Sequence, residues 1–230
     1  MSPEAKAVRV AVLWSGGKES TLACYRLIRE GHHIGVLVTF ILDDWPYACH
    51  PPSIMSLQSE ALGIAHVTLK VTEPYKENYR YSIRSLIGTE GIKGIVTGDI
   101  WIEDHRRWME GVCEGLGIDL VMPLWNENTN DILDAVVSSG FRPVFTCVRE
   151  PWFDAEWLGQ ELDRQRIEAL KNLHDRSGID VCGENGEYHT MVLDGPIFKH
   201  SIKIEEFFID RKDPVLRLRP HRLSLQPKAT

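Results

Sequence analysis

The chain has 230 residues, 43% of them hydrophobic and 26% charged, enough for one large globular domain or two small ones. A formal charge of −7 speaks against a broad basic face for nucleic acid, and no apolar run reaches membrane-spanning length. The N-terminal stretch MSPEAKAVRV has no apolar signal core, so export is not expected, and the five scattered cysteines, without a C-x-x-C, are expected to be reduced core thiols in a cytoplasmic protein.

In chain order, Val8 to Trp14 is an apolar run that reads as a buried strand. It ends abruptly at Ser15-Gly16-Gly17-Lys18-Glu19-Ser20, after which a helical pattern runs from Thr21 to Glu30 and stops at Gly31. Ile34 to Leu42 is a second strand, and Asp43 to Pro52, rich in Pro, Asp and aromatics, is a loop. A helix over Ser53 to Leu62, a strand over His66 to Val71 and a helix over Tyr75 to Glu90 follow. A strand at Gly94 to Gly98, a helix at Glu103 to Leu116 and a strand at Leu120 to Leu124 complete this half. Alternating strands and helices imply parallel strands with right-handed crossovers, hence a doubly wound, mostly parallel sheet of Rossmann-like form in an α/β domain spanning residues 1–126.

Beyond that the pattern changes to a smaller α+β domain over residues 127–230. A helix is expected at Asn128 to Ser139, a strand at Arg142 to Val148 and a long charged helix at Ala155 to Leu173. Cys182 to Asp194 is glycine-rich and then strand-like, and Lys199 to Ile209 alternates. Pro214 to Leu218 is expected as a last edge strand, with a frayed tail from Pro220 to Thr230.

Two constellations carry chemistry. At the first, the glycines let the backbone approach closely, and the first N–H groups of the following helix lack intrahelical partners. Ser15 and Ser20 add hydroxyls and Lys18 a positive charge, which together suit a phosphate. An ordinary glycine turn is the alternative. The Walker and dinucleotide patterns do not fit. Ligands of doubly wound sheets bind outside the carboxyl ends of the strands. There stand Leu13, Thr39, Gly98 and Asp99, the last as a Mg²⁺ or ribose ligand or else a helix-capping residue. The second constellation is VCGENGEYHTMVLDGPIFKH, Val181 to His200, where Glu184 and Glu187 each follow a glycine. Its carboxylates could bind Mg²⁺, orient ammonia or act as a base; a glycine hairpin with solvated acids is the alternative. His50 is either an acceptor or phosphate contact or a polar loop residue. His105, Arg106 and Arg107, at a helix start beside Asp104, either meet an anionic acceptor or form a solvated helix face.

The run S-G-G-K-x-S resembles the pyrophosphate loop of ATP pyrophosphatases, with Glu19 where that group usually has Asp. The whole chain resembles the diphthine–ammonia ligase family on four segments. These are LWSGGKES, QSEALGIAH (Gln58 to His66), TGDIWIEDHRRWMEGVCEGLGIDLVMPLW (Thr97 to Trp125) and GENGEYHTMVLDGPIF (Gly183 to Phe198). The resemblance implies ATP and Mg²⁺ as cofactors and a reaction in which a carboxylate is adenylated and then amidated by ammonia. It implies Ser15, Gly16, Gly17, Lys18, Glu19 and Ser20 at the phosphates, with Lys18, Glu184 and Glu187 catalytic. It places Glu184, Glu187, Thr190 and Asp194 on the acceptor side, where His50, Asp104 and His189 are further candidates for substrate binding.

There are departures. His189 stands where archaeal and eukaryotic members tend to have a glutamate, and the Gly98 to Asp104 run looks closer to bacterial relatives. The acceptor is therefore diphthine or another carboxylate, such as a corrinoid precursor. A non-catalytic ATP-binding switch and a transfer-RNA-modifying enzyme are the competing classes. The paired glutamates argue against the first, and the acidic balance and missing C-x-x-C against the second. No glutaminase nucleophile is evident, which makes free ammonia the nitrogen donor. A homodimer is left open.

Overall fold

The computed structural model describes residues 7–42 and 49–228; positions 43–48 of the expected second loop lie outside the described residues. In chain order the elements begin with β1 (Arg9–Leu13), α1 (Lys18–Arg29), β2 (His33–Leu42), α2 (Pro52–Leu62), β3 (His66–Val71), α3 (Tyr75–Glu90), β4 (Gly94–Val96), α4 (Glu103–Cys113) and β5 (Asp119–Val121). They continue with α5 (Thr129–Ser138), β6 (Pro143–Arg149), α6 (Arg164–Ser177), β7 (Tyr188–Val192), β8 (His200–Lys212) and β9 (Val215–Pro227). The chain forms two compact units. Among the described residues, the first holds 7–14, 19–42 and 64–126, and the second holds 15–18, 49–63 and 127–228.

The first unit is a five-stranded parallel sheet in the order β3-β2-β1-β4-β5. Its central strands are short apolar runs because helices cover them, and Val10, Ala11 and Val12 of β1 have no exposed surface. On one face Ala11, Val36, Val38 and Ile95 pack with Ile83 and Leu86 of α3 and Met109 and Val112 of α4. Each such side chain contributes roughly 1.5–3 kcal/mol by leaving water. The strand order reverses at β1, which puts a crevice at the carboxyl ends of β1 and β4. Gly98, just past β4, is required there by space. A Cβ on it would lie 2.8 Å from the Ser20 backbone N and 2.9 Å from the Glu19 carbonyl carbon, so only glycine lets this turn rest on α1.

The second unit is a four-stranded antiparallel sheet, β7-β6-β9-β8, with α2, α5 and α6. Its core includes Phe145, Phe153, Trp157 and Tyr188, whose ring centroids lie 5.0–5.7 Å apart in tilted or edge-on pairs. Proline begins α2 at Pro52, and Gly63 ends it in the left-handed region at φ 68°. The Lys199 N–H then donates to Ala61 O at 2.7 Å, tying the end of α2 to the chain before β8.

Three expectations are corrected here. The long helix over Ala155 to Leu173 is interrupted: a 3-10 turn spans Ala155–Trp157, and α6 starts only at Arg164. Gly159 adopts φ 81°, Glu161 bridges to Val144, and the Asp163 side chain caps the later start by accepting from the Arg166 N–H. The short edge strand and frayed tail are instead one long strand, β9, paired along β8 out to Pro227; β8, not β9, is the sheet edge. Arg219, Arg222 and Ser224 of β9 hold Asp210 and Glu205 of β8 with side-chain bonds that the hydrophobic pattern does not reveal. Finally, Cys49 and Cys147 are paired as a disulfide across 98 residues, whereas Cys24, Cys113 and Cys182 are buried thiols. Sequence spacing held no sign of that pairing, because the fold alone brings the two cysteines together.

Candidate active site

In the first unit, Leu13 closes β1 and packs against the core. Beside it Thr39, near the carboxyl end of β2, donates its hydroxyl to Trp14 O at 2.5 Å. A hydroxyl has one proton, so the 2.8 Å contact with His66 Nε2 makes that ring nitrogen the donor. Burial holds His66 below the ordinary imidazole pKa, consistent with a neutral ring. Ser20 is buried and Glu19 half-buried at the start of α1. Asp99 follows Gly98 at the carboxyl edge of the sheet, with Oδ1 at 3.4 Å from His105 Nδ1. Asp104 lies in the first turn of α4 with its side chain 92% exposed, beside Arg107 at 3.8 Å.

The glycine corner belongs to the second unit. Gly16 adopts φ 73°, a region open to glycine at no steric cost. Ser15 Oγ accepts from the Gly17 N–H at 3.3 Å, which tightens the turn. Gly16 O accepts from the Val192 N–H at 2.9 Å, so the corner is bonded directly to β7. Lys18 is almost wholly buried at 2% exposure. Its Nζ donates to Cys182 O at 2.7 Å and lies 4.6 Å above the Tyr188 ring. An ammonium withdrawn from water needs such partners, and a carbonyl and a ring face supply them.

The glutamate loop is a self-bonded scaffold. Asp180 Oδ1 accepts from the N–H groups of Cys182 (2.8 Å) and Glu184 (3.3 Å). Glu187 is 3% exposed. Its oxygens accept from Asp180 N (2.8 Å), Asn185 N (3.0 Å) and Asn185 Nδ2 (3.3 Å). These bonds make Glu187 a brace of its own loop. They also set the direction of the Cys182 carbonyl that meets Lys18. Glu184 is half-buried in the same loop. Asp194 is engaged elsewhere, by Lys228 Nζ at 2.8 Å and the Gly195 N–H at 2.7 Å.

His50 and His189 face each other edge-on, with ring centroids 5.0 Å apart. The pairing of Cys49 with Cys147, which stands opposite His189 in the β6–β7 ladder, holds them together. Thr146 Oγ1 adds a bond to Cys49 O at 2.9 Å. Burial, reinforced by the Lys18 charge, pushes the His50 pKa down to about 4. Burial, then His50, then Lys18 push His189 down to about 3. Both rings are therefore neutral at physiological pH. Thr190 Oγ1 is buried with no hydrogen-bond partner among the described residues. The structure gathers Lys18, His50, His189 and the glutamate loop in the second unit, although Lys18 and His50 were expected in the domain over residues 1–126, while Asp104 stands beside Arg107 and Asp194 is held by Lys228. Sequence reasoning missed Gln58, Tyr188 and the Cys182 carbonyl. All three lie in or beside the second and fourth resembling segments, which was the available signal.

Among the described residues, no cluster of three or more His, Cys, Asp or Glu is arranged to hold a metal ion. Nor is any described helix long and apolar enough to cross a membrane.

Two known domain families match the chain. The Diphthamide synthase N-terminal domain family matches residues 8–120, and the Diphthamide synthase C-terminal domain family matches residues 128–213. The chain is 28% identical to the diphthine–ammonia ligase of Mus musculus and 29% identical to that of Homo sapiens. Each alignment covers 97% of this chain and 94% of the relative. Among solved structures, it is similar to a predicted subunit of tRNA methyltransferase from Methanocaldococcus jannaschii, at 17% identity and a TM-score of 0.45, over 82% of this chain and 97% of that one. With both domain families matched in order along the sequence, the chain belongs to the diphthine–ammonia ligase family.

Proposed function

We propose that this protein is an ATP-dependent amide ligase that adenylates a carboxylate and then passes ammonia to it. The observation that carries the reading is Lys18. It stands in the glycine corner at the start of α1, and the same ammonium is held by the glutamate loop and influences both His50 and His189. One residue thereby links the phosphate-type motif with the fourth resembling segment.

A carboxylate does not condense with ammonia in water at useful rates, because its oxygen is a poor leaving group. In the proposed reaction a carboxylate oxygen attacks the α-phosphorus of ATP, and the bond to pyrophosphate breaks. Ammonia then attacks the acyl carbon of the mixed anhydride, gives up a proton, and AMP departs. The charge that moves onto pyrophosphate is met by fixed donors: the first-turn N–H groups of α1, Ser15, Gly16, Gly17, Ser20 and Lys18. Glycine at positions 16 and 98, where a side chain would clash, fits a backbone built for close approach. Mg²⁺ would neutralise phosphate charge. Asp99 is the residue assigned to hold it, which agrees with the habit of this ion of taking one or two carboxylates and completing its shell with phosphates and water. Thr39 and Gly98 are assigned to the nucleotide on the first unit.

His50, His189 and Thr190 are assigned to the acceptor and ammonia. Neutral imidazoles can accept a hydrogen bond from ammonia and the proton it loses. Glu187 positions the loop, and Glu184 is the carboxylate assigned to the acceptor. The acceptor is diphthine, as named for the relatives, or another carboxylate. The test is product analysis with ATP, ammonium and a panel of carboxylates. AMP and pyrophosphate should appear only when all three are present, and Lys18→Met should abolish both. ADP and phosphate as products would refute the reading.

A further inference from the structure

Gln58 of α2 has no exposed surface, yet it carries a carboxamide. Its Nε2 donates to Gly16 O at 2.9 Å and to Val192 O at 2.7 Å. Gly16 O also takes the Val192 N–H, so two donors hold one carbonyl of the glycine corner. In a trans peptide the carbonyl of one residue and the N–H of the next point in opposite directions across one rigid plane. Fixing Gly16 O against Gln58 and β7 therefore turns the Gly17 N–H to the opposite side. The fit is close. A Cβ on Gly16 would sit 2.2 Å from Gln58 Oε1, so the amide occupies the space that a side chain at position 16 would need.

An apolar side chain would fill the same volume without desolvating an amide. Packing alone does not explain a glutamine there; the two carbonyls do. We infer that Gln58 is a positioning residue for the phosphate corner: it locks the Gly16–Gly17 peptide so that the Gly17 N–H stays on the Ser15 hydroxyl side of the turn, where a phosphate group would meet both. It touches neither substrate nor reacting atoms and acts through Gly16. The inference rests on the nucleotide role proposed above for this corner.

The test uses the full chain, with inorganic pyrophosphate and Mg-ATP as probes in calorimetry, ATP-dependent AMP release in steady state, and thermal unfolding on the same samples. Gln58→Met keeps length and packing but removes both donors. Gln58→Glu keeps the shape and sets an oxygen against two carbonyls; it serves if the methionine variant does not fold. The expected result is a pyrophosphate affinity at least tenfold weaker and a KM for ATP raised to match, in protein still folded at the assay temperature. The KM for ammonium should be unchanged, a split that general loosening of the fold would not produce. A folded variant that binds pyrophosphate within twofold of the parent overturns the inference and leaves the ligase reading intact. A parent protein that binds neither pyrophosphate nor ATP overturns the nucleotide reading and this inference with it.

Discussion

Replacing Gly16 by alanine tests the glycine corner most directly. Three contributions set the magnitude. Holding alanine at φ 73° costs about 1–2 kcal/mol. Alanine also restricts the unfolded chain, which returns about 0.4–1 kcal/mol. The decisive contribution is contact, because the new Cβ would lie 2.2 Å from Gln58 Oε1 and 2.7 Å from Met191 Cε. Gln58 is a flexible residue type, but here it is fully buried and tied by two hydrogen bonds, so moving it breaks them. Their loss adds about 1–3 kcal/mol, for a net destabilisation of about 2–4 kcal/mol. In a chain of this size that is a fall of about 5–15 °C in midpoint. Gly178→Ala is the control. Gly178 also has a left-handed backbone, φ 72°, but nothing lies within 4 Å of the place a Cβ would take, so only the backbone cost of about 1 kcal/mol should appear. Urea and thermal unfolding by circular dichroism compare the two variants. Equal destabilisation would refute the argument that Gln58 fills the space beside Gly16.

Acid should weaken the fold through the histidine pair. Because His50 and His189 are held near 4 and 3 in the folded protein, the unfolded chain binds more protons from about pH 6.5 downward. Stability should therefore be fully present above about pH 6.5 and fall below it, by up to ~1.4 kcal/mol per pH unit for each ring. Urea unfolding at pH 5 and pH 7 measures this; a flat profile, or the same slope in His189→Asn, would contradict it. Lys18→Met removes a charge that lowers both rings, so their pKa values should rise in an NMR titration. Unmoved resonances would mean that Lys18 is not beside them. Glu187→Gln sets an amide donor among three donors and should cost about 1.5–3 kcal/mol, with faster proteolysis between residues 180 and 187. Glu184→Gln, in the same loop but half-buried, should leave the unfolding midpoint nearly unchanged.

The first unit was almost fully legible because its signals are local. Glycines at 31 and 91 follow two of its helices, and apolar runs such as that of β1 mark the strands. Parallel topology then follows from alternation. The second unit was harder to read. Its hairpin of β8 and β9 is stabilised by cross-strand pairs such as Arg219–Asp210 and Arg222–Glu205, and periodicity cannot register a partner across the turn. The helix expected over Ala155 to Leu173 failed for a related reason: the antiparallel bridge from Glu161 to Val144 competes with helix continuation, and its partner is distant in sequence.

The candidate site divides along the same line. Residue type revealed Lys18 and the glycines, since a strand, a glycine turn and a helix start leave few other uses for that pattern. Roles set by tertiary contact did not show. A glutamate in a G-E-x-G-E run reads as a metal ligand, an ammonia-orienting group or a base, or else as a solvated acid of a glycine hairpin; the three donors that hold Glu187 within its loop do not show in the sequence. Position 189 carries the larger consequence. His189 is an imidazole held neutral by burial, so position 189 contributes no negative charge near Lys18. In the proposed reaction, a neutral His189 beside a neutral His50 and a buried ammonium suits an acceptor that brings its own negative charge.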